Sequence, residues 1–554
     1  MRKITLAFLL CFCFVPNAIL KAQFKVIAKS PGFEEPEKGN AKIILMKNGN
    51  TAFLNITVKD GIFIKMYSPE HKVLFTRTLQ HKFAKLKGLS VEACLETKNN
   101  ITMLLSEYDD RTPTLHRIVI SGNEGKIVSQ ETLATLKKLK IWDGYSVAFG
   151  GVPLPDFVVR RDPNSENYAV ACFNSFASES DQRFELIHYN NMNEEISRSY
   201  LSSPEGQYKY IEIVDIAVMG DKEAIALLNG YNTRSSGGKE TELLMAHFSK
   251  NEKQVKYESL LYEEELRAMG AIMKVNPRTQ KIHVLLQATV TPGSRDANGK
   301  KLRGNTTYYA LRHFIHDPVT STTTDGPDVE WGAINDAYKG LFGEKKNYSG
   351  VLQNMYMEDD GGYSIVLEGL EIITTQRGSS SSTEYVLGDL AVMRYSASGS
   401  LSQTLLVPKE HSLNSSILTG GAGASAYPLY HYKRDFTAQA LGGGNQYKSF
   451  AYLSGKDKSY VLMNDIERNQ ESMQKGKITK IRGLDECDGF YFPIGENTTQ
   501  PRQFIFGKPD GKKDHNLGLF TISDYDRERN MYATLVLERD GRDKSVRVVW
   551  LTPN

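Results

Sequence analysis

The 554 residues set 68 Lys and Arg against 65 Asp and Glu, and no Lys/Arg block or basic stripe runs along the chain, so nothing draws it to nucleic acid. Tyr (28) and Phe (24) are plentiful, Trp (3) is scarce, and long helical periodicity is nearly absent. That profile argues against a helical bundle and predicts an all-β chain, long enough to bury a large core.

The amino terminus reads as an export signal. Arg2 and Lys3 precede an apolar run over residues 4–15 that is too short to span a bilayer, and the segment ends in LKAQ. Cleavage is expected after Ala22, giving residues 1–22 as signal peptide and a mature chain that begins at Gln23. Cys11 and Cys13 lie inside the apolar run rather than at a lipobox, so no lipid anchor is predicted. No later apolar run is long enough for a membrane span.

Beyond the signal, one element recurs: apolar strand, polar turn, apolar strand. Residues 89–133 show it most plainly. They read LSVEACLET, KNN, ITMLLSEYD, DRTP, TLHRIVIS, GNEG, KIVSQETL. These are four alternating runs joined by turns rich in Asn, Gly, Asp and Pro, an antiparallel meander the size of one propeller blade. The first unit begins IILMK, NGN, TAFLNITV and ends IFIKMYS, VLFTRTL. The third is DFVVRRD, YAVACFNSF, FELIHYN, ISRSYL. The fourth is IEIVDIAVM, EAIALLNGY, ELLMAHFS, VKYESLL. The fifth shows three strands, AIMKV, KIHVLLQATV and TYYALRHFI. The sixth is NMYMED, YSIVLEGLEII, GDLAVMRYS, LSQTLLVP. The seventh is read as SFAYLSG, YVLMND, GKITKIRG, FYFPIG. The eighth supplies LFTISDY, NMYATLVLE and SVRVVWL, where the chain stops.

Eight copies predict a β-propeller of seven or eight four-stranded antiparallel blades, filling residues 23–554 as a single domain. β-Sandwiches are the competing architecture. The strand FKVIAK, at residues 24–29, belongs to no unit. It is expected to pair with SVRVVWL and close the ring. One–two and three–four turns are short. The long connections are two–three (ASESDQR, NTRSSGGKET, TPGSRDANGKKLRGNT, TTQRGSSSSTEY) and unit-to-unit, with insertions at 316–353 and 409–448. In a meander those two classes emerge on one side, so one face carries the long loops, where binding function usually resides. Residues 330–343 repeat Trp331, Ile334, Tyr338 and Leu341 at helical spacing, predicting one short amphipathic helix.

Motifs that would carry chemistry are sparse. Cys94, Cys172 and Cys487 read as buried thiols without a disulfide, and their spacing resembles no zinc site. The string His313, His316, Asp317 would sit at a strand end, which does not bring i and i+3 to one face, so no metal is assigned. DPNSEN (162–167), DANGK (296–300) and EDDGG (358–362) read as turns, because none completes a calcium loop. The glycine-rich run from 419 has no strand–helix context for phosphate binding, and no GxSxG or HExxH occurs. No catalytic residue, metal or cofactor is assigned. Aromatic and imidazole groups on the long-loop face remain as candidate contacts: Trp142, Tyr145, Trp331, Tyr338, Tyr427, Tyr430, His431 and Tyr432.

A short signal ending LKAQ, this length and these degenerate hairpins resemble exported propeller-like proteins of unknown function from Bacteroidota-type Gram-negative bacteria. The resemblance implies a propeller and export, and it carries no catalytic residues. Such families often end in a sorting domain, and the strand SVRVVWLTPN at the carboxyl end favours the periplasm over secretion. The reading is a monomeric, non-catalytic binding or scaffold propeller whose long-loop face takes a protein, peptide or glycan. The alternative is a carbohydrate-active hydrolase or lyase with carboxylates converging at the channel.

Overall fold

The computed structural model describes residues 24–553 apart from 84–85, 151, 178–182, 233–240, 251–254, 261–265, 291–308, 344–347, 349, 379, 414–429, 442–443, 456–457, 475–476, 495–501, 512 and 542. The export signal and Tyr427 therefore lie outside the described residues. Eight antiparallel sheets form, each built on four strands. The first strands of the blades are Asn40–Leu45, Ser90–Thr97, Asp156–Arg161, Tyr210–Met219, Leu266–Val275, Gly350–Met357, Ala451–Ser454 and His515–Asp526. Most of these first strands touch the next one round the ring, so they line a central channel.

Local chemistry explains the meanders. In the second blade Thr97 pairs with Asn100 and Asp109 with Thr112, so residues 98–99 and 110–111 form two-residue turns. All four of those residues have positive φ, the geometry whose twist matches flanking strands. Apolar side chains from both faces of each blade then fill the gaps between blades. The eight larger hydrophobic clusters correspond to the eight blade interfaces. Cys94, Cys172 and Cys487 are buried in three of these clusters as free thiols. Burial pushes the Cys94 thiol up to about 12.

The eighth blade is completed as expected. Lys25–Lys29 pairs with Asp543–Thr552 as its fourth strand, with Lys25 opposite Thr552 and Lys29 opposite Val549. Ser30 and Phe33 prolong the pairing through backbone bonds to Val548 and Val546. Phe24 packs on Tyr460 and Tyr491 of the seventh blade, with ring centroids 4.9 and 4.8 Å away. Trp550 reaches the other way, donating to Thr51 Oγ1 at 2.9 Å in the first blade. A bulge between Val26 and Ala28 leaves Ile27 exposed rather than buried.

Four details differ from the sequence reading. The fifth blade has a fourth strand, Thr322–Asp325, inside the stretch assigned to insertion. TTQRGSSSSTEY is not a loop, because Tyr363–Arg377 and Ser380–Tyr395 continue as the arms of one long hairpin. GKITKIRG is not the seventh blade's third strand; Cys487–Ile494 is, followed by Gln503–Phe504. Ile478 and Ile481 stand three apart, a spacing no strand face accepts, and Asn469 holds both backbone groups of Thr479. Finally, the 409–448 insertion does not stay on an open face. It pairs His411–Leu413 with the sixth blade and Gln439–Ala440 with Asn40 and Ala41 of the first.

The two faces are unlike. On the short-turn side, turns tie neighbouring and next-but-one blades together. Lys47 N bonds Glu96, Lys47 Nζ pairs with Glu166 at 2.9 Å, Arg529 donates to Met46 O, and Arg527 pairs with Glu358 and Asp359. The helices α1 (Ile141–Gly150), α2 (Trp331–Phe342) and α3 (Tyr430–Arg434) all sit in blade-to-blade connections, on the long-loop side. No described helix is long and apolar enough to cross a membrane.

Candidate functional site

The connection from the second to the third blade carries α1. Asp143 accepts from Lys140 N at 2.7 Å and places its charge at the positive end of the helix. Trp142, Tyr145 and Phe149 follow at spacings of three and four, so they share a face. That face is open: the three side chains are 75 %, 57 % and 84 % exposed. Trp142 and Tyr145 stand 5.7 Å apart and Tyr145 and Phe149 6.2 Å, a row of rings. Ile141 and Leu154 extend the exposed apolar surface on either side. Phe149 was not singled out from sequence, although its spacing to Tyr145 is the signal that finds it.

Six residues after the end of α1 the chain enters the third blade at Asp156. Glu92, Asp156 and Glu212 stand near the starts of the first strands of three consecutive blades, at the long-loop mouth of the channel. Ser106 Oγ donates to Glu92 at 2.6 Å and Phe157 N to Asp156 at 2.8 Å. Asp156 is exposed to solvent. Desolvation and then the neighbouring Glu92 carboxylate push Asp156 up to about 7, with Lys433 opposing. Desolvation raises Glu92 and Glu212 too. Sequence reading missed this trio because three blades supply it.

Below the mouth the channel is filled by its own insertion. Tyr432 Oη, on α3, donates to Asp215 Oδ2 at 2.7 Å, and Asp215 also accepts from Arg160 Nε at 2.6 Å and Met273 N at 2.8 Å. Arg160 lies over Tyr432 and Phe436, and Lys274 lies 4.5 Å from the Tyr432 ring centroid. Asp435 accepts from Asn354 at 2.7 Å, Phe436 O accepts from Cys94 N, and His431 lies 3.8 Å from Phe450. With the pairing to the first blade, the segment touches seven blades. Under it lies a cavity of about 250 Å³, lined by the later halves of the first strands, including Glu96, Arg161, Asp162, Lys274 and Asp524.

The sequence-derived contacts thus separate. Trp142 and Tyr145 are exposed together. Trp331 and Tyr338 lie on α2, half-buried against the core between the fifth and sixth blades. Tyr430 begins α3, and His431 and Tyr432 are buried in the channel. The HxxHD string divides as its spacing requires: His313 bonds His283, and His316 faces another blade.

Ring, closure and plugged channel define an eight-bladed β-propeller. No protein-family model and no curated protein matches the chain significantly. Solved structures with similar folds include a prolyl endopeptidase, at 11 % identity and TM-score 0.32, covering 78 % of this chain and 56 % of that one. The chain therefore spans little more than half that enzyme's length. The propeller domain of the Trilobed protease from Pyrococcus furiosus matches at 8 % identity and TM-score 0.30, over 67 % and 93 %. An ulvan lyase matches at 10 % and 0.34, over 69 % and 88 %. At these scores the likeness bears on neither activity nor substrate.

Proposed function

We propose that this is an exported, monomeric binding propeller of the bacterial envelope, resident in the periplasm after loss of residues 1–22, whose long-loop face holds a glycan. The observation that carries it is the exposed ring row Trp142, Tyr145 and Phe149 on a helix that leads into a carboxylate-lined mouth. Aromatic faces stack on the C–H faces of sugar rings, and carboxylates accept their hydroxyls. The test is a glycan array probed with residues 23–554 and with the Trp142→Ala/Tyr145→Ala variant. Retention of a glycan family by the wild type, weakened at least about 10-fold in the variant, supports the reading; capture by both proteins alike, or by neither, overturns it.

A second reading rests on the carboxylates. Desolvation and the Glu92 carboxylate raise Asp156, and Glu92 and Glu212 stand near the starts of the neighbouring first strands, so the mouth brings together carboxyl groups of the kind glycoside cleavage uses. If the propeller is a hydrolase or lyase, it releases reducing ends or unsaturated sugars from the retained glycan, and Asp156→Asn abolishes that release. Binding without any such product assigns the trio to recognition alone.

A further inference from the structure

Away from the mouth, in the outer half of the interface between the fourth and fifth blades, three electron-rich groups converge. His247 lies in Thr241–Ser249 and Glu258 in Lys256–Leu260, the third and fourth strands of the fourth blade. His316 lies in Tyr309–Asp317, the third strand of the fifth. One ligand atom from each lies within 4.8 Å of the other two. Both imidazoles are buried, at 3 % and 0 % exposure.

Each imidazole is held through its Nδ1. His247 Nδ1 lies 2.9 Å from Glu223 Oε1, and His316 Nδ1 lies 2.9 Å from Thr323 Oγ1. His316 Nδ1 also lies 3.2 Å from Glu258 Oε2. With the proton on Nδ1, the Nε2 lone pair of each ring is available. Glu258 is itself oriented, since its Oε1 accepts from Thr323 N at 2.8 Å. Among the described residues His247 Nε2 and His316 Nε2 have no hydrogen-bond partner, and Glu258 Oε2 has only the approach of His316 Nδ1, though all three atoms are buried. Two buried imidazole nitrogens without a hydrogen bond, beside a buried carboxylate oxygen, call for a further partner.

We propose that His247, Glu258 and His316 bind one divalent transition metal, zinc by its donor preference, with water in the fourth position. Two imidazoles and a carboxylate are a zinc donor set, and the Glu223 bond to His247 is the outer carboxylate that orients a ligating imidazole. Tetrahedral zinc with bonds of about 2.1 Å separates its ligands by about 3.4 Å, so small side-chain rotations draw the three together around it. The ligands come from two blades and lie toward the short-turn side, so the ion straps those blades together and stands apart from the long-loop face. Sequence alone pairs His316 with His313 and Asp317; the fold pairs it instead with residues 58 and 69 positions earlier.

The test uses the full mature chain, stripped with a chelator, returned to zinc and gel-filtered before elemental analysis. About one zinc per chain is expected, together with a higher Tm than the stripped protein. His316→Gln should retain under a tenth of an equivalent. Glu223→Gln, which keeps all three ligands, should weaken zinc affinity by about 10–100-fold with an unchanged circular dichroism spectrum. Cobalt in place of zinc should give the visible absorption of a four-coordinate ion, and this absorption should vanish in His316→Gln. A wild-type chain that holds no zinc after filtration overturns the proposal, as does a His316→Gln chain that holds as much as the wild type.

Discussion

Asp156 sets the charge of the channel mouth. Its folded-state value, about 7, stands above the 3.8 of an unperturbed aspartate, so the fold binds that proton more tightly than the unfolded chain does. The resulting stability is complete below pH 4 and is lost as pH rises through 7. Asp156→Asn fixes the uncharged state. It should raise Tm at pH 8, by on the order of 1 °C because the side chain meets solvent, and leave Tm at pH 4 nearly unchanged; calorimetry at both pH values decides it. An equal shift at both values would assign the effect to packing rather than charge. At this scale the sequence was legible where a residue acts with its neighbours in the chain. Trp142 and Tyr145 sit in one long connection, so the reading of the loop face names them together, though not the helix that aligns them. Glu92, Asp156 and Glu212 do not, and neither do His247, Glu258 and His316. Their chemistry exists only once strands from different blades are side by side.

Two elements hold the ring. The strand Lys25–Lys29 was readable because its composition is that of a strand and the last unit lacked one. The bulge that exposes Ile27 was not, since it depends on register against Val549–Thr552. Closing so long a loop is modest in entropy, because that term grows with the logarithm of length. Burial of Phe24 between Tyr460 and Tyr491 offsets it. Deleting residues 24–29 should therefore lower Tm by about 5 °C in a single transition, although these residues belong to one blade. A scan that superimposes on the wild type would show that the ring does not depend on this strand. The second element is the insertion at 430–441. Its aromatic content was visible in sequence, and its path into the channel was not, because its partners Asp215, Asn354 and Cys94 are spread over the fourth, sixth and second blades. Tyr432→Phe removes one donor from buried Asp215 and should destabilise the protein by roughly 1–3 kcal/mol in urea titration. Unchanged stability would mean that the plug contributes nothing to the ring.

Over the whole molecule, loop length separates two roles. Short turns leave side chains such as Lys47, Arg527 and Arg529 free to lace blade to blade, which fixes the ring on that face. Long connections leave the opposite face to α1, α2 and the channel mouth. The alternation of long and short connections was enough to predict this division, because an antiparallel meander sends them to opposite sides. It did not predict that one long connection would turn inward and close the channel, which leaves the rim and the mouth as the surface a ligand can reach. Hydrogen–deuterium exchange of the mature chain, with and without the glycan an array retains best, reads that surface directly. Binding through the long-loop face predicts added protection over residues 141–150 and at the start of the third blade, around 156–161, with the turns at 47–50, 98–99 and 220–222 unaffected. Protection confined to those turns, or no change over α1 while the glycan is bound, would contradict it.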